Sequence, residues 1–182
     1  MIRRFLDALY LGAGILAGLF LVAIFLLMMG LSVGREFGLN IPAGDDFTAW
    51  SLVAMAFLGL AHTFKRGEMI RVGLLLERLH GRKKQIAEIV SLTVAAAFIG
   101  YFAWQAWTLA FDSWRFGDMS QGVVVVPLWI PQAGYVLGLA VLFIAVLDEL
   151  VVVLQGRRPT YEQEPPATPD ELVERIASGG GV

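Results

Sequence analysis

Four long stretches of this sequence carry no Asp, Glu, Lys or Arg: Ala8 to Gly34, Phe47 to Phe64, Ile89 to Phe111 and Met119 to Leu147. A helix needs roughly 20 mostly apolar residues to cross about 30 Å of hydrocarbon, and a chain in lipid must satisfy its backbone polar groups internally. The stretches therefore predict an all-α integral membrane protein with four transmembrane helices, at approximate spans 9–31, 47–64, 89–111 and 125–147. Composition agrees, since 57% hydrophobic and 16% charged residues lie outside the usual soluble balance. The decisive property is the segregation of charge into short connections. Arg3 and Arg4 precede the first stretch as they would a signal core, but its apolar run exceeds 20 residues. A signal core has about 7 to 15 residues and is followed by a small-residue cleavage site, so the segment is read as retained.

Orientation follows from the cations, because segments rich in Lys and Arg stay on the cytoplasmic side while carboxylates contribute little. On one side fall Arg3 and Arg4, then Lys65, Arg66, Arg71, Arg78, Arg82, Lys83 and Lys84, then Arg157, Arg158 and Arg175. Only Arg35 and Arg115 fall on the other, a division of 12 to 2. Both termini are therefore expected in the cytoplasm. Trp50, Trp107, Trp114 and Trp129 lie near the expected outer ends, at the depth where amphipathic rings prefer the interface.

The chain divides into a membrane domain, 1–154, and a tail, 155–182, whose Pro and acidic residues predict a mostly disordered extension. Within the tail, Thr168 and Glu171 form a capping box that could open one short helix. Between the second and third spans, Met69, Val72, Leu76 and Leu79 recur at helical spacing beside a basic stripe containing Arg71, Arg78 and Arg82. That pattern predicts an amphipathic helix over about 68–82, lying on the membrane surface with Lys65, Arg66, Lys83 and Lys84 flanking it. Gly67 can cap the second span where it ends. Gly14 with Gly18, and Gly134 with Gly138, form G-x-x-x-G pairs, whose small side chains let helices approach closely in lipid. Spacing alone leaves open whether these faces close the chain on itself or receive another subunit.

Chemistry is scarce. A complete transporter usually holds ionisable groups at membrane depth, where they bind cargo. Here the spans offer His62, near the end of the second, and the amides Gln105 and Gln132. A membrane haem usually needs two facing histidines, and His80 lies in the connection, so no cofactor is expected. The sequence contains no cysteine, which removes disulfides and thiolate metal sites. No nucleophile lies near a base and no phosphate-binding pattern appears, so no enzyme is expected, and nothing suggests nucleic acid as a partner.

Two blocks resemble a known family. Phe57-Leu58-Gly59-Leu60-Ala61, followed by Lys65-Arg66-Gly67-Glu68-Met69-Ile70-Arg71-Val72-Gly73-Leu74-Leu75, is similar to the signature of the small DctQ-type membrane subunit of tripartite ATP-independent periplasmic (TRAP) transporters. Ser120-Gln121-Gly122, then Pro127-Leu128-Trp129-Ile130-Pro131-Gln132 with Gly138 beyond, resembles the same family. The resemblance runs from about Arg3 to Leu154. It departs at Met69, where the family often has His, and at Gly73, where it often has Asp.

The resemblance implies a multi-pass subunit of the bacterial inner membrane that holds the static part of a large membrane subunit. A periplasmic solute-binding protein would deliver a carboxylate-bearing solute transiently, and the large subunit would carry it inward with sodium. The outer connections, Ser32 to Asp46 and Asp112 to Gly122, are candidate docking places for that protein. Two other readings stay open from the residues alone: a self-contained homo-oligomeric transporter or channel, and a structural subunit of a respiratory complex.

Overall fold

The computed structural model describes residues 2–38, 42, 44–66 and 82–156. Four helices lie among them: α1 (Ile2–Glu36), α2 (Gly44–Arg66), α3 (Arg82–Phe116) and α4 (Trp129–Leu154). Each is long and apolar enough to cross a membrane, and the only strand-like feature among the described residues is an isolated bridge between Met119 and Pro127. The chain is an all-α membrane protein. The tail from residue 157 and most of the segment expected to form the interfacial helix lie outside the described residues.

The helix limits depart from the apolar stretches for local reasons. α1 and α3 each have 35 residues, about 52 Å at 1.5 Å per residue, so both carry their charged ends as continuous helix. Arg82 opens α3. α3 stops where Gly117 takes a φ of +68°, a conformation that costs residues with a Cβ. The amide of Asp118 then donates to Ser113 O at 3.0 Å, satisfying a terminal carbonyl. α4 begins at Trp129 and not near Val125, because residues 120 to 126 pair back on themselves and Pro131 falls in the first turn, where a missing N–H costs nothing. It also continues past Leu147 to Leu154, carrying Asp148 and Glu149 on the helix.

Packing joins the helices into an open layer in the order α1, α2, α4, α3. α1 touches α4 only slightly, and α1 and α3 do not meet. The core is built from small residues: Ala13 and Ala17 of α1, Ala54 and Ala61 of α2, Ala145 of α4 and Ala96 of α3, with Leu58, Leu92 and Val146 filling between them. Such residues let backbones come close, which is the main source of helix association where lipid removes the hydrophobic drive. The distribution of burial is uneven. Of its most apolar window α1 buries 11% and α3 17%, whereas α4 buries 50%. α4 is therefore the spine of the layer, and α3 hangs from it along the single stripe of Glu88, Leu92, Ala96, Ala106 and Ser113.

Candidate functional site

The glycines show which faces are already occupied. A Cβ added at Gly138 would lie 2.5 Å from the carbonyl carbon of Phe57, and one at Gly134 would lie 2.6 Å from Ala54 Cβ. Both therefore seat α4 on α2. Gly14 makes room for the imidazole of His62, whose Cγ would stand 2.7 Å from an added Cβ. Gly59 completes that seam, with Ala17 Cβ 3.8 Å from where its own Cβ would be. Gly18 has no atom within 4 Å of such a position, so it lies on an open face of α1. The two G-x-x-x-G pairs are thus unlike: the α4 pair is internal, and the α1 pair is half internal and half open.

An ionic cluster joins the start of α1 to the ends of α2 and α4. Lys65 Nζ donates to Glu149 Oε2 at 2.9 Å and to Asp148 Oδ2. Its ammonium stands 5.3 Å from the centre of the Tyr10 ring, within range of the ring's negative face. One turn earlier His62 Nδ1 lies 3.2 Å from the main-chain oxygen of Tyr10. With that oxygen as acceptor, Nδ1 carries a proton and donates it. Glu149 is fully buried and Tyr10 is 3% exposed. A recess of about 200 Å³ opens beside them, bordered by Arg3, Asp7 and Asp148. The arrangement clamps three helices through charge. Among the described residues no group of His, Asp and Glu could hold a metal ion.

Sequence reasoning missed this cluster because it ended the fourth span at Leu147, leaving Asp148 and Glu149 as charges beyond the membrane. The available signal was complementarity: a lysine closing one helix and an acidic pair near the end of another, on the same side of the layer. Buried Glu88, 7% exposed on α3, was missed similarly.

The remaining singled-out residues divide in two. Pro127 takes part in the bridge with Met119, and Trp129, 41% exposed, starts α4. Arg66 is the last residue of α2, and Arg82, Lys83 and Lys84 form the first turn of α3, the first two exposed. Gly67, Ile70, Arg71, Val72 and Arg78 lie outside the described residues. Of the two amides, Gln105 is exposed, whereas Gln132 is buried with its Oε1 lacking a hydrogen-bond partner among the described residues.

At the opposite end, α3 and α4 are joined by a hydrogen-bonded hairpin. Ser120 N donates to Val126 O at 2.8 Å, Leu128 N to Asp118 O at 2.9 Å, and Ser120 Oγ accepts from Val126 N at 3.0 Å. The same hydroxyl donates to Val124 O at 3.1 Å. The carboxylate of Asp46, in the acidic first turn of α2, lies beside Gly122, where an added Cβ would collide with it.

Comparison with known families adds one finding. The family described as "Tripartite ATP-independent periplasmic transporters, DctQ component" matches residues 24–156, well over half of the chain. No curated protein matches.

Proposed function

The chain belongs to the DctQ family, the small membrane subunits of TRAP transporters, and from that premise we propose that it is the scaffold on which a large partner subunit moves solute. This is a family of transporter components and not of enzymes. The observation that carries the scaffold reading is the open layer: α1 and α3 stand at its two edges without touching, and most of their surface is left uncovered by the chain itself. Two broad apolar faces suit a part that is packed against.

In this reading the subunit sits in the bacterial inner membrane with both termini in the cytoplasm, as the 12 to 2 division of cations indicates. Transport is sodium-coupled and binding-protein-dependent, the solute carries a carboxylate, and selectivity resides in the partners. Bilayer lipid, the large subunit and, transiently, the solute-binding protein are its contacts.

Co-expression with the neighbouring large subunit, followed by reconstitution, tests the proposal. The two membrane chains should purify together, and sodium-driven uptake in liposomes should need both, with the binding protein supplied outside. A stable homo-oligomer of this chain that transports alone would overturn it.

A further inference from the structure

The hairpin between α3 and α4 presents an unusual surface for a helix connection. Val123 is 79% exposed, Val125 66% and Val124 37%, so three branched apolar side chains in succession are exposed at the turn. On either side of it stand Phe116, 72% exposed, Trp114, 62%, and Trp129, 41%. The valines therefore continue the apolar surface by which α3 and α4 meet lipid, through the aromatic rings that mark the water boundary.

We propose that the 117–128 hairpin is a membrane-interface anchor, which lays Val123 and Val125 into the boundary between headgroups and acyl chains at the end of the layer opposite the Lys65 cluster. An irregular segment enters that region only if its backbone brings its own hydrogen-bond partners. Here Ser120 supplies part of them, its amide and hydroxyl engaging Val126 and Val124 while Leu128 closes on Asp118, and the tip residues between them meet the hydrated headgroup side of the boundary. The apolar stretch that includes the valines carries no charge from Met119 to Leu147. The Asp46 carboxylate of α2 lies beside Gly122 at the tip. Lipid is favoured over a protein occupant because the face is continuous with the membrane-facing surface and framed by indole rings. The inference does not depend on the transporter reading.

The absence of cysteine from the sequence makes the test direct. Val123→Cys and Val125→Cys, each in the full-length chain, are labelled with an environment-sensitive fluorophore and reconstituted in phospholipid vesicles. Asp45→Cys, at an exposed acidic position of the same end, serves as the water-facing reference. The expected result is blue-shifted emission at both valine positions. Quenching should be stronger by spin labels placed near the lipid headgroup than by labels at the bilayer centre, with iodide access several-fold lower than at Asp45. Adding Ser120→Ala should raise iodide access at residue 123, because the backbone then needs water. Iodide quenching equal to that at Asp45 would overturn the anchor. So would protection that appears only when the large membrane subunit is present, which would make the face a protein contact.

Discussion

Lys65 shows how much can rest on one side chain. It pairs with Asp148 and a fully buried Glu149 while its ammonium lies near the ring of Tyr10. Removing one member of a buried ionic group typically costs about 3–5 kcal/mol. Lys65→Met is therefore expected to destabilise the purified subunit by about that amount, read as a fall in its thermal midpoint in detergent. Adding Glu149→Gln should recover a substantial part. If Lys65→Met melts like the parent, the cluster does not hold the helix ends together. Glycines make a second contrast at this scale. Gly138→Ala would press a methyl onto the Phe57 backbone, and overpacking of this kind costs about 1–3 kcal/mol. Gly18→Leu adds its Cβ where no atom of the described residues lies within 4 Å. The first should lower the stability of the isolated subunit, and the second should leave it unchanged while weakening recovery of the large subunit in a pull-down. The opposite pattern would refute the assignment of inner and open faces.

Elements were legible in proportion to how far hydropathy alone decides them. The charge-free windows located all four helices, because lipid leaves no alternative to internal hydrogen bonding. Their ends were less legible, since ends are set by pairing partners that lie far away in sequence. Asp148 and Glu149 remain on α4 because Lys65 meets them, and α4 starts late because Ser120 pairs with Val126. The motif of Gly14 and Gly18 was readable as small-residue spacing, yet nothing in that spacing says that His62 fills one glycine and nothing fills the other. Among these local devices Gly117 is the simplest to test. A β-branched residue in its left-handed conformation is strained by roughly 1–2 kcal/mol. Gly117→Val should lower the thermal midpoint accordingly and speed hydrogen exchange at Asp118, whose amide closes the helix end. Unchanged exchange there would mean that α3 ends for another reason.

At the scale of the whole molecule the order α1, α2, α4, α3 makes a prediction about distance. Ala17 Cβ lies 3.8 Å from the position of a Cβ at Gly59, within the range a disulfide requires. Ala17→Cys with Gly59→Cys should therefore cross-link under mild oxidation, in a chain that has no competing thiol. A pair on α1 and α3, Leu19→Cys with Phe102→Cys, should give no intramolecular bond, since those helices do not meet. Efficient closure of the second pair would mean that the four helices form a ring.

That one-sided attachment of α3 bears on the life of the protein before assembly. An element held along a single stripe opens at a lower free energy than the body it leans on, and binding a partner to the folded form suppresses that opening by mass action. A newly made copy with no large subunit would thus repeatedly offer surveillance proteases a loosened helix, and a copy in complex would not. The abundance of the small subunit should then track that of its partner. Pulse-chase in cells lacking the large subunit should show rapid loss, restored to slow turnover when the partner is supplied. Equal lifetimes with and without the partner would refute this account of how its supply is matched to demand.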